Sequence, residues 1–135
     1  GDSVNLAARL EGANKYYDTY TMISHFTYDQ VKDEVEVREL DTIRVVGKKE
    51  PITVYELLET KGNLDDATSD LVRRYNSALA LYKNRQFDEA KAEFESIVGD
   101  VPEDGPSKTY ISRCDAYLDD PPGEDWDGVY NLTAK

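Results

Sequence analysis

The chain has 135 residues, room for one domain or two small units, and its 28 acidic residues against 16 basic ones leave a net charge of −12. That charge argues against nucleic acid and anionic membrane surfaces as partners of this stretch. No apolar run approaches the roughly 20 residues of a membrane span, and the single Cys114 cannot form an internal disulfide, which fits a reducing compartment.

The first segment, Gly1-Asp2-Ser3-Val4-Asn5-Leu6-Ala7-Ala8-Arg9-Leu10-Glu11, reads as a turn running straight into a helix. Asn5 and Arg9 are one turn apart and share a helical face. Ala8 and Gly12 leave that face open to close approach. An amide and a guanidinium on a small-residue face suit an oxygen-rich anion, such as a phosphate or a sugar oxygen. Tyr20–Ser24 is then a short strand, and a helix is predicted over Thr27–Lys32 with Thr27 as its cap. His25 stands alone, which points to a surface or capping role and not to a metal site. Glu34–Leu40 alternates acidic and apolar residues, the pattern of a half-buried strand with its charges outward.

Two β-branched runs follow, Ile43–Val46 and Ile52–Tyr55, around Gly47-Lys48-Lys49-Glu50-Pro51. This is a hairpin pattern, with Gly47 and Pro51 punctuating the loop. By themselves Lys48 and Lys49 read as a solvated turn.

Together these segments resemble class III nucleotidyl cyclases over residues 1 to about 59. The first carries that family's Gly-Asp-x-Val-Asn-x-Ala-x-Arg stretch, and the hairpin is similar to the last hairpin of its catalytic domain. The resemblance implies an α+β fold, with residues 1–61 as the C-terminal part of a ferredoxin-like catalytic domain. It implies that Asn5 and Arg9 contact the reacting nucleotide and that Lys48 reaches its phosphates, with Lys49 and Arg44 left as solvated surface. Asp2 matches the motif's own Asp and not a metal ligand. The family's two metal-binding aspartates, which hold Mg or Mn, come well before this helix, as does the residue that helps choose adenine over guanine. The chain is therefore expected to be the C-terminal piece of a longer protein, inactive alone, whose substrate is ATP and whose active sites form between the subunits of a homodimer.

Lys61-Gly62-Asn63 reads as a linker, and residues 62–135 as a helical segment with an acidic tail. Asp65 or Asp66 opens a helix in which Leu71, Tyr75, Ala78, Leu79 and Tyr82 recur at helical spacing. After the turn Asn84-Arg85-Gln86, a second helix presents Phe87, Ala90, Phe94, Ile97 and Val98 on one face and is stopped by Gly99 and Pro102. A third helix is predicted from Pro106 to Leu118, with Tyr110, Cys114 and Tyr117 or Leu118 inward. Ala78, Ala90, Phe94 and Pro102 resemble positions of a tetratricopeptide repeat (TPR), although Arg74 stands where that family has a large apolar residue. One such repeat cannot bury its own face, so the third helix is expected to cap it or to dock elsewhere.

Residues 1–61 hold 8 basic against 12 acidic side chains and residues 62–135 hold 8 against 16, so a polyphosphate would find the less acidic part first. Asp119, Asp120, Asp125 and Asp127 lack the EF-hand spacing and read as a solvated tail. The tail resembles that of bacterial adenylate cyclases with CHASE-type sensors, which implies the cytoplasmic portion of an inner-membrane parent. Two functions are expected. One is a fragment of an adenylate cyclase that converts ATP to cAMP and pyrophosphate. The other is a non-catalytic interaction module, with a protein partner for its helical part, on a degenerate cyclase remnant.

Overall fold

The computed structural model describes residues 21–44 and 50–131. They divide into two compact units. One joins the residues up to Leu64 to those from Asp127 onward; the other is Asp65–Trp126.

The first unit is a four-stranded sheet with one short helix among its described residues. Its strands are β1 (Met22–Ser24), β2 (Val35–Arg44), β3 (Ile52–Thr60) and β4 (Tyr130–Asn131), in the order β1-β3-β2-β4. β3 pairs antiparallel with β1 and with β2, and β4 runs parallel to β2. The two runs expected as separate pieces, Glu34–Leu40 and the one starting at Ile43, are a single strand. A β-bulge makes this possible: Glu39 faces Tyr55 and Asp41 faces Val54, so Leu40 is an extra residue. The bulge turns two consecutive residues, Leu40 and Asp41, to the buried side, and this breaks the alternation that the sequence advertises.

Cross-strand rows organise that side. Met22, Glu56 and Arg38 form one row, Ser24, Val54 and Asp41 the next, and Ile52 with Ile43 the third. Met22, Leu40, Ile43, Ile52 and Val54 make the apolar core, with Tyr130 packed against it. Each buried aliphatic side chain stabilises the fold by about 1.5–3 kcal/mol. Arg38 is inward, only 4% exposed, so the expectation of charges pointing outward along β2 fails at this residue. Its charge is carried inward by a partner: Arg38 Nε and Nη2 both donate to Glu56 Oε1, at 3.0 and 2.5 Å.

The short helix α1 is His25–Val31, two residues earlier than expected. Ser24, not Thr27, caps it, and Ser24 Oγ accepts from the Thr27 N–H at 3.4 Å. Tyr28 of α1 lies against Tyr55, with ring centroids 4.6 Å apart.

The second unit is three helices: α2 (Asp66–Lys83), α3 (Phe87–Asp100) and α4 (Gly105–Asp119). Asp65 caps α2 by accepting from the Thr68 N–H at 2.6 Å. The predicted apolar faces meet. Tyr75, Ala78, Leu79 and Tyr82 of α2, Phe87, Ala90, Phe94 and Ile97 of α3, and Tyr110 and Cys114 of α4 form one buried cluster. Ala78 and Ala90 are fully buried, so small side chains lie where the helices contribute to the core. Rings fill the rest: Phe94 stacks on Tyr110 at 5.2 Å, and Tyr82 meets Tyr110 edge-on at 4.8 Å. Such pairs add about 0.5–1.5 kcal/mol each beyond the area they bury.

Polar clamps tie the helices together. Arg74 donates to Asp100 Oδ2 at 2.9 Å and Ser96 Oγ at 3.0 Å, joining α2 to α3. Lys91 meets Asp115 at 2.6 Å, joining α3 to α4. Gly99 does not stop α3, which continues through Asp100 before Val101 caps it. Tyr117 is half-buried against the core, whereas Leu118 is exposed.

Candidate functional site

Asn5, Arg9 and Lys48, the residues singled out for nucleotide contact, lie outside the described residues, as do Ala8, Gly12 and Lys49. What is described is the part of the sheet from which the Lys48 segment leaves and to which it returns. β2 and β3 are in register up to Ile43 opposite Ile52, and both side chains are buried. Thr42 and Thr53, one pair further in, share a hydrogen bond between hydroxyls at 3.0 Å. β4 flanks β2 at this same end, with Tyr130 beside Ile43 and Asn131 beside Arg44.

Arg44 was expected as plain solvated surface. It is half-buried, donates through Nη1 to Asn131 Oδ1 at 2.8 Å, and lies 3.9 Å from Asp127. Its partners come from the far end of the chain, which no local pattern reveals.

The buried face of the sheet is unusually polar for a strip of three strands. Ser24, Arg38 and Asp41 are each at most 4% exposed. Arg38 and Glu56 form an ion pair on this face: a guanidinium placing two N–H groups on one carboxylate oxygen. Removing Glu56 would take from the buried guanidinium the carboxylate oxygen that accepts two of its N–H groups. The hairpin register alone would set Arg38 opposite Leu57; the bulge at Leu40 shifts it to Glu56, so the sequence did not announce this pair. On the other face Tyr55 has its phenol pKa raised, first by burial and then by Glu39, Tyr28 and Asp29. His25 Nδ1 accepts from the Thr53 N–H at 3.1 Å, so this imidazole bridges the start of α1 to β3.

Among the described residues, no three His, Cys, Asp or Glu side chains are grouped to hold a metal ion. No described helix is long and apolar enough to cross a membrane. Cys114 is no nucleophile: burial, with Asp115 adding to it, pushes the thiol up to about 12. The tail is only partly solvated. Trp126 packs on the helical core, against Tyr82, Phe87 and Tyr117, a contact that sequence reading missed. A lone Trp in an acidic, proline-rich tail was the available signal.

No family model matches the chain, and no solved structure matches it. Two curated proteins do. The chain is 32% identical, over 84% of its length, to "Adenylate cyclase, terminal-differentiation specific" of Dictyostelium discoideum. It is 41% identical, over 43% of its length, to "Adenylate cyclase 1" of Rhizobium meliloti (strain 1021). It spans only 6% and 9% of those proteins, respectively. Eighty-four per cent of 135 residues is about 113, so the first match contains residues 23–113 wherever it begins. The likeness therefore runs through β2 and β3 and into the third helix of the second unit. The chain is related to proteins named adenylate cyclase.

Proposed function

We propose that the chain is a C-terminal part of a class III adenylate cyclase catalytic domain carrying a TPR-like helical unit. In the intact protein ATP is converted to cAMP and pyrophosphate. Asn5 orients the ribose, Arg9 stabilises the charge that develops at the transferring phosphorus, and Lys48 holds the terminal phosphates. Arg suits its role because its charge is permanent and its fork of donors matches phosphate oxygens. The Mg or Mn ions would activate the ribose hydroxyl and neutralise the triphosphate. Their ligands are assigned upstream of Gly1, so the isolated chain is inactive in this reading. The second subunit of a homodimer completes each site. A CHASE-type sensor in the inner membrane, with this part in the cytoplasm, belongs to the same proposal.

The observation that carries this reading is the relation to two adenylate cyclases, with the Gly1–Glu11 stretch supplying the residue types the chemistry needs. A second reading, a non-catalytic interaction module, is favoured by one observation: the helical unit owns a complete core of its own. Cyclic AMP formation by the full-length parent and its Arg9→Ala and Asn5→Ala variants separates the two. The enzymatic reading expects kcat to fall in both variants with KM changed less. Full activity in either variant, or none in the parent with Mg or Mn, would overturn it. Metal-dependent cAMP production by the 135-residue chain alone would refute its assigned inactivity.

A further inference from the structure

Strand β1 covers β3 for three pairs, the last of them Ser24 opposite Val54. One step further the register would set His25 opposite Thr53, but the chain has already turned into α1. Along an antiparallel strand every second N–H points to the same neighbour. Leu57 of β3 donates on the β1 side to the Thr21 carbonyl at 3.0 Å. Thr53 is four residues earlier on that side and has no β1 residue opposite it. The His25 imidazole takes the place. Its Nδ1 lies 3.1 Å from the Thr53 nitrogen and 3.3 Å from the Thr53 oxygen, within reach of both polar atoms that a strand residue would engage. The ring is half-buried and is flanked by Phe26, with centroids 4.0 Å apart.

We propose that His25 is a proton-sensitive clasp at the end of the β1–β3 pairing. The neutral imidazole accepts from the Thr53 N–H. The imidazolium, whose Nδ1 carries a hydrogen, releases that amide and donates to the Thr53 carbonyl instead. A ring nitrogen holds a hydrogen or a lone pair, never both, so the two bonds exclude each other. Protonation thus exchanges one backbone partner for the other and leaves the Thr53 amide without its acceptor. Imidazole is the side chain that takes up a proton between about pH 8 and 5, whereas the carbonyl that holds Leu57 does not titrate. The elements packed on α1 differ in the charge they bring. β1 carries no titratable side chain. On β3, Tyr55 shares the face of Thr53 and lies against Tyr28 of α1, with Glu39 of β2 opposite it. Glu56 is turned to the other face with Arg38, and Glu59 is near the far end of β3. On α1 itself Asp29 is one turn beyond His25. Loss of the Thr53 bond falls on the last pairs of the β2–β3 hairpin, Thr42 with Thr53 and Ile43 with Ile52.

The 135-residue chain has one His, so imidazole signals in its NMR spectrum belong to His25 alone. At about pH 8 the ring is expected as the Nε2–H tautomer, with Nδ1 as acceptor. As the ring gains its proton, the Thr53 amide should exchange about two- to tenfold faster relative to the Leu57 amide, the loss of one net hydrogen bond. Leu57 is the reference because pH changes the intrinsic rates of both amides alike. In His25→Asn the Oδ1 stands one bond beyond Cγ, as Nδ1 does, and accepts at every pH. The ratio of the two rates should then stay constant between about pH 8 and 5. In His25→Ala it should be equally constant, at the unprotected value. An Nδ1–H tautomer at about pH 8 would overturn the proposal, as would a ring still neutral at about pH 5. So would a wild-type ratio that does not move while the ring takes up its proton. These three readings come from the wild-type chain, so they decide even where a variant fails to fold.

Discussion

The helical unit and the sheet unit solve the same problem with different materials. The helical unit buries ten hydrophobic residues from three helices in one cluster, four of them Tyr or Phe on α2 and α3 and a further Tyr on α4. Most of its charge lies on exposed faces. Among its described residues the sheet unit buries five hydrophobics, and beside them Ser24, Arg38 and Asp41. The residues proposed for chemistry, Asn5, Arg9 and Lys48, precede Leu64 in the sequence and lie outside those described. The contrast teaches that the two units reach stability by different routes, an aromatic core in one and a smaller aliphatic core with inward polar side chains in the other. A substitution that empties the helical core should leave the five buried hydrophobics of the sheet in place. One that removes Arg9 should leave the helical core intact.

Phe94→Ala is the largest expected break in that division. Phe94 is fully buried between Tyr75 and Tyr110, so the variant should lose about 3–5 kcal/mol from the helical unit. Hydrogen exchange followed residue by residue checks it. Protection of α2, α3 and α4 should collapse toward the unfolded rate, with Val54 and Leu40 of the sheet much less affected. Equal loss in both units would mean that they unfold as one, and the contrast would be wrong. The next effect is smaller and falls on the other side. In the full-length parent, Arg9→Ala should lower kcat by about 10²–10³, or 2.7–4 kcal/mol of transition-state stabilisation, by analogy with removing one oxyanion donor. The thermal midpoint of the helical unit should not move.

The helical unit was almost wholly legible in the sequence because its signal is local. Tyr75, Ala78, Leu79 and Tyr82 repeat at the helical period and all four are buried. Phe87, Ala90, Phe94 and Ile97 do the same one helix later. The sheet was legible as strands but not in its register. Nothing in Leu40-Asp41 announces that both side chains turn inward, since a bulge is set by pairing with β3 and not by the residues' own periodicity. Helix α1 was misplaced by two residues because Ser24 and Thr27 are equally good caps on paper, and the strand ending at Ser24 decides between them. Arg44, Trp126 and β4 were missed for one reason: their partners are far away in the chain, as with Arg44 and Asn131. The proposed site itself was read from a motif, whose residues lie outside those described.

Cys114 sharpens the comparison through pH, because the titration of its thiol reports on the helical unit alone. Burial raises it from an ordinary 9.0 to about 12. The folded state therefore keeps a proton that the unfolded chain gives up. Above pH 9 the helical unit should lose stability steadily until the folded thiol itself ionises near 12. Tyrosines titrate in the same range, so the difference between wild type and Cys114→Ala is the quantity to follow. That difference should shift with pH between 9 and 12, in favour of the variant as pH rises, and the sheet should not follow it.

The smallest expected effect lies at the opposite end of the pH scale, at the cap of α2. Asp65 has its carboxyl pKa lowered below the ordinary 3.8, first by a hydrogen bond from the Thr68 side chain and then by the Thr68 N–H. A carboxylate with a lowered folded-state pKa contributes stability that is complete above the unfolded value and is lost as pH falls through the folded one. The group is fully exposed, so water and salt screen much of this, and the effect is small beside the loss of Phe94. Asp65→Ala should slightly lower the thermal midpoint of the helical unit near neutral pH, and the gap to wild type should close as the pH drops below 3.8. Fraying should be confined to the first turn of α2, where the Thr68 amide loses its acceptor and exchanges faster. A gap that persists undiminished at low pH would assign the cap to backbone geometry and not to the ionised carboxylate. If the sheet residues Ile43 and Val54 lose protection as well, the boundary at Leu64–Asp65 does not insulate the two units as their separate cores imply.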